Sequence, residues 1–428
     1  MANELTRRDF LQTSVAAAAV GIPSLSLAMA HGRRSSGRLR VGVVGCGGRG
    51  SGAAVNILEA SNDTQLVALG DMFPDRTAGC REELAKLDSP LAARASVSED
   101  MVFHGFDAYQ KVIAAGIDIV ILASPPGFRP AHFAAAVAAG KHVFMEKPVC
   151  VDPVGARIVI ETARSAAAKK LTVVAGTQRR HERCYHEAKK RVEDGAIGKV
   201  ISASVYWNQG GLWNNGRKIE WSDMEWQIRN WLYFAWLSGD HIVEQHVHNL
   251  DVAYWFLGDL PASAMGLGGR QVRTQAAYGN AFDHFAIEYE YTDGRKINSY
   301  SRQIDGTSSR VDEVIYGTEG HLKLSQFGHA EIFGKNAWKW KGEQVNPYVQ
   351  EHKDLLASIL GESSYVNHGE RIAQSTMLAV MGRMSAYTGK TLSWDQAMRS
   401  KLDLTPPKLE LGSLPVADVA IPGKTPVV

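Results

Sequence analysis

The chain of 428 residues is short of cysteine, of net charge and of long apolar runs, and each shortage excludes something. Its four cysteines, Cys46, Cys80, Cys150 and Cys184, form neither a CxxC pair nor a zinc-type spacing. Neither a disulfide framework nor a structural metal is therefore expected. Lys and Arg total 47 against 45 Asp and Glu, and a net charge of +2 gives no footprint for nucleic acid or an anionic membrane. A small neutral or weakly charged ligand is the expected partner. With 45% hydrophobic and 21% charged residues, disorder, collagen and coiled coil are excluded too. At roughly 100 to 200 residues per domain the chain holds two or three domains, each able to bury its own core.

The first thirty residues read as an address rather than as fold. Thr6-Arg7-Arg8-Asp9-Phe10-Leu11 precedes an Ala/Val-rich stretch from Val15 to Ile22, and Ala28-Met29-Ala30 supplies a small-x-small cleavage site. This pattern is that of a twin-arginine export signal, so the export machinery is an expected partner and the mature chain is expected in the periplasm or secreted. The apolar stretch is broken by Pro23, Ser24 and Ser26 and falls short of the roughly 20 residues a spanning helix needs, so no membrane span is expected in the mature form. Residues 31–38 are expected to form an N-terminal arm.

Residues 39–45 (Leu-Arg-Val-Gly-Val-Val-Gly) read as a short buried strand, followed by Gly45-Cys46-Gly47-Gly48-Arg49-Gly50 and a helical run from Ala53 to Ala60. A second strand, Gln65 to Gly70, ends at Asp71 and Met72. In such a strand–turn–helix unit the first glycine permits the tight turn, the second lets the backbone approach a pyrophosphate, and the third lets helix pack on strand. Asp71 stands 21 residues after Gly50, where a carboxylate accepts hydrogen bonds from an adenosine ribose and repels a 2′-phosphate. NAD is the expected cofactor, with NADP kept open by Arg49 and Arg76.

Alternation continues through helices near Pro74 to Leu87, Phe106 to Ala114, Pro130 to Ala139 and Pro153 to Ala168, with strands at Ile117 to Ala123, His142 to Met145 and Leu171 to Ala175. This grammar predicts an α/β fold whose N-terminal half, residues 39–178, is a doubly wound parallel sheet of Rossmann type. Ligands gather at the carboxyl ends of such strands, which marks Ser124 and Pro125, Glu146 and Lys147, and Gln178 with Arg180. After Gly198 strand-like runs at Lys199 to Trp207, Asp283 to Tyr291, Arg295 to Arg302 and Val311 to Tyr316 predict an open, mainly antiparallel sheet in a second α/β domain, 179–404. Helices are expected near Tyr348 to Leu360 and Arg371 to Tyr387, and residues 405–428 are a Pro-rich tail. An outer face bearing Val205, Ile287, Tyr289 and Val314 would leave an apolar patch to be buried in a homodimer or homotetramer.

Read as one helix, the segment from His241 to Trp255 places His241, Glu244, His248, Asp251 and Trp255 on one face and Val243, Val247, Leu250, Tyr254 and Leu257 on the other. Two imidazoles and two carboxylates on one face are more than mere solvation calls for, a solvated helix side being the plain alternative. His241, Glu244 and His248 are also at a spacing that could ligate zinc, but the HExxH motif is absent and no metal is assigned. His246 projects to the apolar side and reads as a core histidine. Seven of the ten tryptophans lie between 207 and 255, and flat sugar faces stack on such rings; Trp207 and Trp231, with His241 and Arg180, are the candidate substrate contacts.

The run Ala139-Gly140-Lys141-His142-Val143-Phe144-Met145-Glu146-Lys147-Pro148 after the glycine fingerprint resembles the glucose-fructose oxidoreductase, inositol dehydrogenase and rhizopine-catabolism (Gfo/Idh/MocA) family over about residues 39–400. That resemblance implies a nicotinamide cofactor, a sugar or polyol substrate, and Lys147 and His248 holding the reacting hydroxyl, with Glu244 where the family usually has Asp. An exported dehydrogenase has no pool of free cofactor, so hydride transfer with tightly held NAD recycled in place is the expected activity. A redox-assisted glycoside hydrolase is the other candidate. It is weakened because Val243-Glu244-Gln245-His246-Val247 replaces the Tyr-Pro-Thr-His-Gly type segment of NAD-dependent N-acetylgalactosaminidases. A non-catalytic binding protein that kept the fold is a third.

Overall fold

The computed structural model describes residues 37–326 and 328–428, so the export-signal reading of residues 1–30 lies outside the described residues. The first domain alternates β1 (Leu39–Val44), α1 (Gly48–Ala60), β2 (Thr64–Asp71), α2 (Pro74–Ala85), α3 (Ser89–Ala95), β3 (Val102–His104), α4 (Ala108–Ala114), β4 (Ile119–Leu122), α5 (Arg129–Ala138), β5 (His142–Met145), α6 (Pro153–Ala168) and β6 (Val173–Ala175). Its six strands lie in the order β3-β2-β1-β4-β5-β6, all parallel. Val41, Val43, Ile119 and Ile121 have no exposed surface, because helices cover both faces of the sheet. The chain reverses its direction of winding between β1 and β4, and the crevice outside their carboxyl ends is where this topology takes ligands. Pro153 at the start of α6 and the Asp152 carboxylate, which accepts the Gly155 N–H at 2.7 Å, fix where that helix begins.

The second domain carries α7 (Arg183–Glu193), β7 (Val200–Gln209), α8 (Asp223–Arg229), α9 (Ala235–Ser238), α10 (His241–Glu244), α11 (Val247–Leu257), β8 (Ser263–Gly269), β9 (His284–Glu290), β10 (Lys296–Gln303), β11 (Arg310–Gly317), β12 (Gly320–Ser325), β13 (His329–Gly334), β14 (Trp338–Lys339), α12 (Pro347–Leu360), α13 (Gly369–Thr388), β15 (Leu392–Ser393) and α14 (Trp394–Arg399). The nine strands run β14-β13-β12-β11-β7-β10-β9-β8-β15, antiparallel except for the β7–β10 pair. Helix α12 returns to the first domain, where Leu355 and Leu356 join the Rossmann core beside α1. No described helix is long and apolar enough to cross a membrane.

Two expectations are corrected by the packing. Residues 241–257 are not one helix: Asp240, with φ +72°, caps a four-residue turn by accepting the His241 N–H, and the chain restarts as α11 at Val247. The outer sheet face also carries different residues. Val205, Ile287 and Tyr289 point under the helices, Tyr289 donating its hydroxyl to the Leu378 carbonyl of α13 at 2.9 Å, whereas Met265, Leu267, Tyr300, Tyr316 and Phe333 are exposed. Of the four predicted, Val314 alone alternates with the inward-facing Glu313 and Ile315. The tail has no helix or strand yet is tied down, Gly423 N–H donating to the Thr388 carbonyl at 2.9 Å.

Candidate active site

The glycine turn is shaped for a group the chain itself does not supply. Gly45 has φ +93°, a conformation cheap only for glycine, and a Cβ on Gly50 would stand 1.8 Å from the Gly45 carbonyl oxygen. Above that tight contact the space is open: a Cβ on Gly47 or Gly48 would meet nothing within 4 Å, and no side chain caps α1. Open space at the uncapped N-terminus of a 13-residue helix fits a pyrophosphate. Asp71 steadies the same turn, accepting the Cys46 N–H at 2.7 Å and the Phe73 N–H at 3.0 Å. Burial raises its pKa, against the pull of those two amides. Asp71, Gly45, Met72, Ser124 and Pro125 share a cavity of about 60 Å³ with Ile228 of α8. Ser124 Oγ lies 3.1 Å from His132 Nδ1, and burial followed by the nearby Arg129 charge lowers that histidine to about 3.

Arg49 leaves the first turn of α1 to pair with Glu146, stands 3.5 Å from Glu351 of α12 and lies over the Tyr348 ring at 4.8 Å. Burial and then repulsion from Glu146 push the Glu351 carboxyl well above its usual range. Gln178 donates to the Tyr348 hydroxyl at 3.3 Å. The nucleotide-facing layer therefore draws on a helix 300 residues downstream in sequence, which no motif signalled.

Lys147, just after β5, donates to the main-chain carbonyl of Glu244 at 2.5 Å and to its carboxylate at 3.0 Å. His248 opens α11 and stacks on Trp207 with ring centroids 5.8 Å apart. Burial first, then the charges of Lys147, Arg179 and Arg49, hold its pKa well below the ordinary imidazole value. A neutral imidazole and a clamped ammonium thus share one wall of the crevice, next to an apolar indole. Arg179, in the strand-end run Gln178-Arg179-Arg180 but without a role assigned from sequence, is buried, paired with Glu313 and 5.6 Å from the Trp207 ring centroid. Burial raises Glu313 to about 7, against the pull of Arg179. Gln245, turned out by the break between α10 and α11, accepts from Gln209 at 3.2 Å and from Gln303 at 2.5 Å.

Other predicted residues are not brought to this wall. Arg180 is bound to Asp251 at 2.7 Å, and Arg371 and Ser375 crowd the same carboxylate. Although burial works the other way, the two guanidinium groups hold Asp251 at about 2. His241 is buried edge-on against Phe285 at 5.0 Å. Trp231 packs with Trp213 in an apolar cluster over the nucleotide loops rather than beside His248. His246 is the core histidine expected, 2.8 Å from Ser299 Oγ and lowered by burial to about 3. Among the described residues no three His, Cys, Asp or Glu side chains converge to hold a metal.

Residues 39–174 match the oxidoreductase family with an NAD-binding Rossmann fold, and residues 185–323 match the GFO/IDH/MocA C-terminal domain. The chain is 24% identical over 209 residues to 2,7-anhydro-N-acetylneuraminate hydratase of Escherichia coli (strain K12), covering 49% of this chain and 51% of that protein. It is 27% identical over 240 residues to inositol 2-dehydrogenase of Burkholderia cenocepacia (strain HI2424), covering 56% and 60%. The matched stretch thus spans about half to three fifths of those two relatives. The scyllo-inositol dehydrogenase of Lactobacillus casei, solved with bound NAD(H) and scyllo-inositol, has the same fold, with a TM-score of 0.63 at 20% identity, covering 84% of this chain and 99% of that one.

Proposed function

Because the chain belongs to the GFO/IDH/MocA oxidoreductase family, with an NAD-binding Rossmann domain, we propose that it moves a hydride between a hydroxyl-bearing carbon of a sugar or polyol and a tightly held nicotinamide dinucleotide. The observation that carries this reading is Lys147, pinned by Glu244, on the same wall as the neutral His248. When bound, the dinucleotide supplies the hydride acceptor; Gly45, Gly47 and Gly50 with the first turn of α1 would hold its pyrophosphate, and Asp71 its ribose. His248 takes the hydroxyl proton at a ring nitrogen. The Lys147 ammonium orients that hydroxyl and stabilises the negative charge developing on its oxygen. Trp207 offers a flat apolar face to the sugar ring.

The Thr6-Arg7-Arg8 segment supports export through the twin-arginine route, and with it a cofactor regenerated in place by a second sugar substrate. The exposed sheet face supports pairing of two copies. A second reading is favoured by the likeness to the anhydro-sugar hydratase: oxidation at one carbon acidifies its neighbour, a group is eliminated, water adds and the hydride returns. Incubation with inositols and aldoses, and separately with aryl glycosides, each with NAD, tests both. Net nicotinamide reduction by a polyol supports the first, release of the phenol without net reduction supports the second, and neither reaction in any mixture would overturn both.

A further inference from the structure

The cavity beside Asp71 has a wall from the wrong domain. Gly45, Asp71 and Ser124 come from the ends of β1, β2 and β4, but Ile228 comes from α8, in the tryptophan-rich insert between β7 and α11. The next residue, Arg229, grips Asp75 at 2.9 and 3.0 Å and Glu225 at 2.9 Å, and its guanidinium lies 3.8 Å over the ring of Phe73. The insert is thereby fastened to the loop that follows Asp71. It is fastened again to the loop after β4: Phe128 meets Trp236 edge-on at 5.7 Å, and Gly127 lies so close that a Cβ would stand 2.2 Å from the Trp236 carbonyl oxygen. Both loops leave the carboxyl ends of strands that line the dinucleotide crevice, and the first follows the acid that faces the ribose.

A third layer lies outside the insert. Gln227 donates to the Leu414 carbonyl at 2.7 Å and Met224 N–H to the Gly412 carbonyl at 3.1 Å, while Leu414 N–H and Ser413 Oγ both donate to Asp223 at 3.1 Å. Leu409 and Leu414 pack on the same apolar cluster as Phe73, Phe128 and Trp226. The C-terminal tail is a strap across the back of the roof.

We propose that Ile228 and Arg229 complete the adenosine subsite and, strapped by residues 409–414, retain the cofactor by slowing its release. The inference rests on the NAD reading above and adds residues outside the Rossmann domain to the cofactor site. On this proposal an adenosine leaving past the insert breaks the Arg229–Asp75 ion pair, whose carboxylate is exposed, or the packed contacts of Phe73, Gly127, Phe128 and Trp236, which costs aromatic packing before solvent repays it. Such a roof acts on the dissociation rate rather than on recognition.

The test loads the full-length mature protein with isotope-labelled NAD, dilutes it into excess unlabelled NAD, and follows the bound label by rapid filtration. The parent protein is expected to keep its label through gel filtration. Arg229→Ala, and independently Leu414→Ala in the strap far from the crevice, are expected to release it roughly tenfold faster or more. Variants that bind NAD and release it at the parent's rate would overturn the proposal, as would a parent that exchanges its label within the mixing time. Should Arg229→Ala fail to fold, Leu414→Ala decides alone. A parent that, unfolded for mass spectrometry, holds neither native nor labelled NAD would overturn the cofactor reading itself, an outcome distinct from fast exchange.

Discussion

At the scale of single residues, the pair that motif and geometry agree on is Lys147 and His248. Replacing either with Ala is expected to cost roughly 10² or more in turnover, because one group orients the hydroxyl and the other takes its proton. Bound NAD, measured by mass spectrometry of the unfolded protein, should survive His248→Ala; its loss there would make the residue a cofactor support instead. Burial and neighbouring cations depress the His248 pKa, so the imidazole is already neutral at pH 6.5 and stays so above it. The His248-dependent acid limb of kcat/KM is therefore expected below pH 6.5, and a limb at or above that value, absent from His248→Ala, would contradict a neutral base. Asp71→Ala should weaken NAD binding by titration calorimetry and narrow any preference over NADP, since the carboxylate both braces the turn and faces the ribose cavity. Residue identity was legible wherever a motif fixed it. Arg179 and Arg180 are adjacent in sequence with nothing to separate them; only packing sends one under Trp207 and the other to Asp251.

At the scale of elements, the strand–turn–helix at residues 39–60 follows from local chemistry alone. Gly50 is its most constrained member, because any side chain there collides with the backbone of the turn. Gly50→Ala is expected to destabilise the protein by about 1–3 kcal/mol, read as a lower midpoint in chemical denaturation, and to weaken NAD retention with it. An unchanged midpoint would mean that α1 can move away from β1. Other elements were illegible for physical reasons. Strand β8, Ser-Ala-Met-Gly-Leu-Gly-Gly, looks like a loop, but a Cβ on Gly266 would stand 2.7 Å from the Ala386 backbone nitrogen, so its glycine lets strand and helix α13 approach. The break between α10 and α11 hides inside a pattern with acceptable helical spacing. At that break the Gln245 side chain accepts from Gln209 and Gln303, which lie on β7 and β10, contacts that no local pattern displays.

At the scale of the whole molecule, the uncovered sheet face is the feature with the largest consequence. Met265 and Leu267 are 52% and 69% exposed, and Tyr300, Tyr316 and Phe333 continue the patch across four strands, interrupted by charged pairs such as Lys296–Glu288. Two such faces packed about a two-fold axis would hide the apolar surface and keep those charges at the rim. Light scattering of the mature protein at micromolar concentration should give at least twice the chain mass, and Leu267→Lys should shift it toward one chain; a parent of single-chain mass would refute pairing. The sequence by itself determined the parallel sheet, the glycine cradle, the acid at Asp71 and the change to a second, mainly antiparallel sheet, because each rests on spacing within a few dozen residues and on periodicities of 2 or 3.6, whereas Lys147 and His248, far apart in the chain, were joined only by the family resemblance. Only the tertiary structure decided which strand face stays open, which arginine lies under Trp207, that helix 347–360 belongs beside α1, and that the insert and tail pack over the cavity beside Asp71. Those outcomes depend on contacts between segments from about 30 to more than 300 residues apart, set by how apolar surfaces dock and not by any local preference of the chain.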